Sequence, residues 1–547
     1  MDHLMQYIHS IPKSPAINVA VLVKGVYSAL AVLAVYGLYR ILQTGRRDPR
    51  MPPGPQTLPV LGNLHQIPIT GFYRKVREWG IEYGGVFSLK FGNSNVIVLC
   101  DRKAIHDLVD KKGLVYADRP HSYIGQLLTE GDHMVLSPGD PITRLKRKIV
   151  THNVSPKAID EKLAPIQETE ITQLMYDFLT KPEDFYRHLR RVTSSIACTF
   201  VYGQRGPTFD SFWGHCVYDA LHVFGAALEP GANPPVDEFP FLQLWPTRFS
   251  KWKKRALASR EAMDNIWSTA RKTVEERRAR GEKRDCLTDR LLDEYEKTGN
   301  PFTQHAFDML LGEVVEGGAE TTSSSLLTVV LALARNPWVS IKAQKEIDAV
   351  CGPERSPTWS DFDKMPYINC IVKEGMRFRP VISTGLPHQN AREDWYEGML
   401  IPKGSTILLP LWAIQHSEHL GYKDPESFNP DRFLNHPKLA DAYAGSPDYN
   451  ARDHYGYGSG RRMCPGIHLA ERNQWRMVAK LLWAFDIREP VDPVTGKTIP
   501  LDPEAYELGL LHGPLPFKCK ITPRSAAHAA TIRKEMEAVR PAFAKWE

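Results

Sequence analysis

Cys464 lies in the run Tyr457-Gly458-Ser459-Gly460-Arg461-Arg462-Met463-Cys464-Pro465-Gly466, just before a helical stretch from Ile467 to Phe485. Glycines let the backbone turn tightly and a helix N-terminus favours a thiolate, so this loop can present sulfur to a metal. A buried structural cysteine beside a turn is the alternative. A second group, Gly317-Gly318-Ala319-Glu320-Thr321-Thr322, lies inside an apolar helical stretch from about Thr303 to Arg335. Its two glycines cost about 1 kcal/mol each relative to alanine, so something other than helix propensity favours them. An acid beside a hydroxyl can relay protons, although Ser/Thr-rich helix segments are common. Glu316, one turn before Glu320, either orients a substrate hydroxyl or amine or pairs with a nearby cation. Glu374 and Arg377 sit at i and i+3, where the guanidinium can also engage another segment bidentately. A surface pair worth about 0.2–0.5 kcal/mol is the alternative.

A chain of 547 residues can bury a large core as one very large domain or a few ordinary ones. Its 42% hydrophobic and 24% charged residues exclude a mostly disordered or polytopic membrane protein. The net charge of +6 is spread along the length. One local cluster, Arg144, Lys146, Arg147 and Lys148, is a docking patch for an acidic redox partner, a partner of cofactor carboxylates, or a solvated helix face. The eight dispersed cysteines, with no CxxC pair, point to a reducing compartment. No GxSxG elbow or HExxH helix supports a hydrolase, and no motif supports nucleic-acid binding.

These groups need a scaffold, and the pattern supplies one that is mainly α with a small β subdomain. Val19 to Tyr39 is apolar for the roughly 20 residues a bilayer helix requires, and Arg40, Arg46, Arg47 and Arg50 follow it. Residues 1–50 therefore read as a single-pass signal anchor with a basic flank, the downstream chain facing the cytosol. Met51-Pro-Pro-Gly-Pro55 forms an extended spacer. Gly85 to Leu99 alternates as a strand pair. Pro156 to Glu296 is helical, broken by a Pro-rich connection from Pro230 to Pro246, and Lys251 to Arg290 is charged on most faces and expected at the surface. A further helix spans about Pro366 to Phe378. Residues 523–547 read as a polar, mobile tail.

The cysteine loop resembles the haem-binding loop of the cytochrome P-450 family, with Tyr457 where the family has Phe. The resemblance covers about residues 51–522 and implies that family's fold, with haem b (iron protoporphyrin IX) as cofactor. It makes Cys464 the axial iron ligand and Arg462 a propionate partner. Glu374-Gly-Met-Arg377 resembles the ExxR motif, and Pro430-Asp431-Arg432-Phe433 the segment whose Arg432 completes that supporting cluster. Gly317 to Thr322 resembles the oxygen-activation motif, with Thr321 as the oxygen-side hydroxyl and Glu320 as proton relay. Where the family offers Trp and, four residues on, Arg to the propionates, this chain has Ile142 and Lys146. Pro387-His388 resembles a propionate-binding segment of related fungal enzymes, although a merely packed His388 is the alternative.

The resemblance implies a haem-thiolate monooxygenase (EC 1.14 class) using dioxygen and electrons from an NADPH-cytochrome reductase or cytochrome b5, since no flavin or nicotinamide segment is visible. It also implies anchorage on the cytosolic face of the endoplasmic reticulum. The runs Gly404 to His416 and Cys464 to Asn473 look most like filamentous-fungal members that tailor secondary metabolites. Among these the lean is toward hydroxylases of small phenolic polyketides, such as cresol or benzyl-alcohol hydroxylases of the patulin type. A detoxifying monooxygenase, an oxygen-independent isomerase or dehydratase, and a non-enzymatic haem binder are the alternatives. The retained Glu320-Thr321 pair argues against the last two.

Overall fold

The computed structural model describes residues 19–228 and 233–547. Residues 1–18 of the anchor segment and 230–232 of the Pro-rich connection thus lie outside the described residues. Val19–Gln43 forms helix α1, whose span Lys24–Gln43 is long and apolar enough to cross a membrane and is exposed along nearly its whole length. The spacer that follows is tied down. Arg47 donates to the carbonyls of Gly54 at 2.8 Å and Ser88 at 3.0 Å, which fixes the basic flank to the first strand.

The strand pair forms as the alternation predicts: β1 (Val86–Phe91) runs antiparallel to β2 (Ser94–Leu99), with Val86 opposite Leu99. Two short strands, β3 (His388–Gln389) and β4 (Thr406–Leu408), complete a four-stranded sheet in the order β1-β2-β4-β3, with β2 and β4 parallel.

Helices hold the core. They include α2 (Pro141–Asn153), α3 (Ala164–Thr180), α4 (Phe185–Tyr202), α5 (Phe212–Leu228), α6 (Lys251–Ala279), α7 (Gln304–Arg335), α8 (Pro366–Phe378) and α9 (Ile467–Ala484). The Thr303 hydroxyl caps α7 by accepting the Ala306 N–H at 3.1 Å, and Pro337 opens the next helix just past its end. Apolar on nearly every side, α7 runs through the middle of the molecule and packs against α4, α6, α8 and α9. Trp475 and Trp483 of α9 are fully buried in the same core.

Two expectations are corrected. Helix α6 is not a surface helix throughout, because Ala256, Met263, Trp267, Ala270 and Val274 recur at helical spacing and are completely buried. The segment after Pro523 is not a mobile tail. Ala526–Phe543 forms helix α10, capped by the Ser525 hydroxyl, and packs on α3 with Ile532 and Phe543 buried. Beyond it Glu547 accepts from Arg205 at 2.8 Å, whose guanidinium stacks on Phe543.

Candidate active site

The cysteine loop is wound by its glycines. Gly460 has φ +63°, and a Cβ there would fall 2.5 Å from the Val109 carbonyl oxygen. The loop closes through the Cys464 N–H, which donates to the Tyr457 carbonyl at 2.9 Å. It leaves Cys464 half-buried three residues before α9. Burial pushes the thiol up, opposed by the Gly466 N–H and the Arg147 guanidinium. A thiolate here needs more positive charge than the protein supplies, which is what a bound metal cation provides.

The Tyr457 hydroxyl links this loop to α7. It accepts from Gln474 Nε2 at 3.4 Å, and Gln474 Oε1 accepts from Ser325 at 2.6 Å, one turn beyond Thr321. On α7, Gly317 is exposed and a Cβ there would meet nothing within 4 Å. Thr321, one turn later on the same face, donates its hydroxyl to the Gly317 carbonyl at 2.7 Å. Glu320 is raised to about 7 by burial, against the pull of Arg190, and its Oε2 is buried without a hydrogen-bond partner. Near neutral pH this carboxyl both holds and releases a proton.

Glu374 and Arg377 are fully buried and joined by two bonds, Nε to Oε2 at 2.7 Å and Nη2 to Oε1 at 2.8 Å. Arg432 Nε lies 3.4 Å from Glu374 Oε1, so the three predicted supports do meet. Arg377 also donates to the Gln415 carbonyl at 3.1 Å, and Gln415 Oε1 accepts the Tyr455 N–H at 2.7 Å. The ion pair thereby fixes the start of the cysteine loop.

Residues 52–520 match the cytochrome P-450 family model. The chain belongs to the cytochrome P-450 family. It is 41% identical over 523 residues to the cytochrome P-450 monooxygenase acuD of Aspergillus aculeatus, covering 95% of this chain and 98% of that one. It is 40% identical to patI of Aspergillus clavatus (94% and 96%) and 39% identical to macC of Penicillium terrestre (93% and 96%), both cytochrome P-450 monooxygenases. This cytochrome P-450 is thus an oxidoreductase of the haem-dependent monooxygenase class, EC 1.14, acting with dioxygen, a substrate and a reductase partner.

Its residues fit haem. Arg462 donates to the carbonyls of Ala117 (2.7 Å), Met134 (3.2 Å) and Ser137 (2.9 Å), which occupies three of a guanidinium's five N–H groups. Arg147 donates to Met463 at 2.8 Å, and Arg119 to Val135 at 3.0 Å and Pro387 at 2.5 Å. Burial lowers Arg119 to about 9, with Arg462 and Arg147 adding to the effect. Among the described residues none of the three forms an ion pair, and Asp118 and Asp140 act on them only at a distance. Clustered cations without a counterion match a cofactor that carries two carboxylates. His388 joins them through β3, its Nδ1 2.9 Å from the Tyr116 carbonyl oxygen. Burial and Arg119 lower it to about 4, so it is neutral.

Two sequence expectations change. Lys146 does not join this cluster. It is buried, donates to the Asp132 carbonyl and lies 3.9 Å from Glu313, because its face of α2 turns toward α7. Its neighbour Arg147 takes the place beside the cysteine loop. Glu316 does not present a free carboxylate: Oε1 accepts from Trp267 Nε1 and Oε2 is bonded to His133 Nε2, both at 3.1 Å. Pairing with a cation is the alternative the structure supports. Sequence reasoning missed Arg119, a lone arginine before a proline with no motif to mark it. Arg147 belonged to the basic cluster offered as a partner of cofactor carboxylates, but the family motif singled out Lys146, one position of register away.

Proposed function

We propose that this cytochrome P-450 hydroxylates a small or medium apolar aromatic molecule, phenolic in character, in fungal secondary-metabolite biosynthesis. The observation that carries the monooxygenase chemistry is the acid and hydroxyl of Glu320 and Thr321 beside the open face at Gly317, on a helix braced to the cysteine loop. Similarity to fungal monooxygenases over nearly the whole chain supports the biosynthetic setting.

Cys464 would bind the haem iron through its sulfur, and Arg462, Arg147 and Arg119 would pair with the propionates, while His388, neutral with Nδ1 donating to the Tyr116 carbonyl, packs beside them. When bound, the haem supplies reductive activation of dioxygen, with the thiolate favouring O–O cleavage. The chain's own residues deliver protons. Glu320 passes a proton from Oε2, and the Thr321 hydroxyl turns from the Gly317 carbonyl to carry it onward. Glu374, Arg377 and Arg432 position the loop and touch no reacting atom. Helix α1 anchors the protein in the endoplasmic reticulum membrane with residues 51–522 as its cytosolic monooxygenase domain. The exposed Arg144 and Lys148 on α2 offer an acidic reductase or cytochrome b5 a docking patch near the cysteine loop.

The test is the carbon-monoxide difference spectrum of the reduced protein, followed by NADPH- and dioxygen-dependent turnover of small phenols. A strongly red-shifted Soret band that disappears in Cys464→His supports the assignment. A histidine-type spectrum, or conversion without dioxygen, overturns it.

A further inference from the structure

Beside the site lies a buried polar cluster that the catalytic reading leaves unused. Glu313, Glu316, Lys146 and His133 are each at most 6% exposed. Glu316 spends both oxygens holding Trp267 and His133. Glu313 Oε2 accepts the Met134 N–H at 2.9 Å, while its Oε1 has only Lys146 at 3.9 Å and accepts no hydrogen bond. His133 Nδ1 is likewise buried without a partner, and its ring stacks on Phe224 with centroids 5.0 Å apart. Two polar atoms in one cluster therefore stay unsatisfied, where burial normally demands partners.

The cluster lies one helical turn from the open face at Gly317. Glu313 precedes Gly317 by one turn on the same face of α7. The Met134 carbonyl bonded to Arg462 belongs to the residue whose N–H is bonded to Glu313, so this segment bridges α7 and the cysteine loop. Burial works against the protonated His133 imidazole, Glu313 and Glu316 outweigh it, and burial raises Glu313 as well, so a proton is shared within a cluster whose unpartnered atoms are His133 Nδ1 and Glu313 Oε1. A hydroxyl group fits that pair, accepting from one atom and donating to the other.

Resting on the monooxygenase reading, we propose that His133 Nδ1 and Glu313 Oε1 form a subsite that binds a hydroxyl of an aromatic substrate, whose ring packs beside Phe224. Glu316 is then a positioning residue that orients His133, and Lys146 balances the charge.

The probes are 3-methylphenol and its methyl ether, 3-methylanisole, titrated into the holoenzyme while the Soret spin-state shift is followed. The phenol is expected to bind at least about tenfold more tightly than the ether, the scale of a hydrogen bond to a charged group. That ratio is expected to fall several-fold in Glu313→Gln, whose amide oxygen is a neutral and weaker acceptor. The double variant His133→Phe/Glu316→Gln, which removes the donor without stranding a buried charge, should weaken both probes and leave the ratio near its wild-type value, because either oxygen accepts from Nδ1. The reduced carbon-monoxide spectrum of each variant reports whether the thiolate site has formed. A thiolate spectrum in the wild-type protein with equal affinity for both probes, binding of neither, or a preference undiminished in Glu313→Gln overturns the subsite and leaves the monooxygenase reading intact. A wild-type protein lacking that spectrum fails the monooxygenase reading itself.

Discussion

Replacing Gly312 and Gly317 of α7 by alanine should have opposite effects on stability, although helix propensity favours both changes by about 1 kcal/mol. At Gly312 a Cβ would lie 2.6 Å from three atoms of the Trp267 indole, Nε1 among them. Trp267 is fully buried, so the ring cannot move without cost, and overpacking of this kind costs about 1–3 kcal/mol. Displacing the ring also breaks the Nε1 bond to Glu316, worth about 1.5–3 kcal/mol for a charged acceptor. After subtracting the gain in propensity, Gly312→Ala should destabilise by about 1.5–5 kcal/mol. A chain of this size shifts by roughly 1 °C per kcal/mol, from an unfolding entropy near 2 cal/mol/K per residue, so the midpoint should drop by roughly 1.5–5 °C. At Gly317 nothing lies within 4 Å, and alanine should hold or raise the midpoint while weakening spectral binding of substrates. Differential scanning fluorimetry of the two holoproteins decides the matter. A Gly312→Ala midpoint at or above wild type, not lowered further when Trp267→Phe removes the indole, would refute the packing argument.

Three other perturbations follow from the same geometry. Glu374→Gln leaves the fully buried Arg377 without its carboxylate, a loss of about 3–5 kcal/mol, and should yield protein with little bound haem on a pyridine haemochrome assay; normal haem content would contradict the bracing role. Because burial raises Glu320 to about 7, coupling of NADPH oxidation to product should fall as pH rises through neutrality and the carboxyl loses its proton. Glu320→Gln should lower coupling and flatten that limb, and an unchanged profile would assign the titration elsewhere. Truncation after Arg524 removes the buried Ile532 and Phe543, each worth about 1.5–3 kcal/mol, and strips Arg205 of Glu547. Soluble protein with a wild-type midpoint would show that α10 contributes nothing to the fold.

The features legible in the sequence are those whose signal is local. Thr303 and Pro337 bracket α7 within a few residues, Glu374 and Arg377 lie one helical turn apart, and the glycines around Cys464 wind their own loop. What escaped reading depends on partners distant in the chain. Lys146 faces Glu313 rather than the arginine cluster because of how α2 is rotated against α7, which a one-residue shift in register reverses. Trp267 occupies the space that Gly312 leaves, 45 positions away, and neither residue alone announces the other. The C-terminal helix looks polar in composition because only one narrow face, carrying Ile532 and Phe543, is buried.

The three arginines around the cysteine loop also bear on biogenesis. Before an anion reaches them, Arg119, Arg147 and Arg462 repel one another in a poorly hydrated setting, so this corner of the newly made polypeptide is held together against its own electrostatics. With haem placed as proposed, loading the cofactor would relieve that repulsion and add binding energy to folding through linkage. Steady-state abundance in the cell should then follow haem supply, a dependence that immunoblotting under haem limitation would read. Salt that screens the repulsion should prolong the lifetime of the unloaded chain and leave that of the loaded one nearly unchanged.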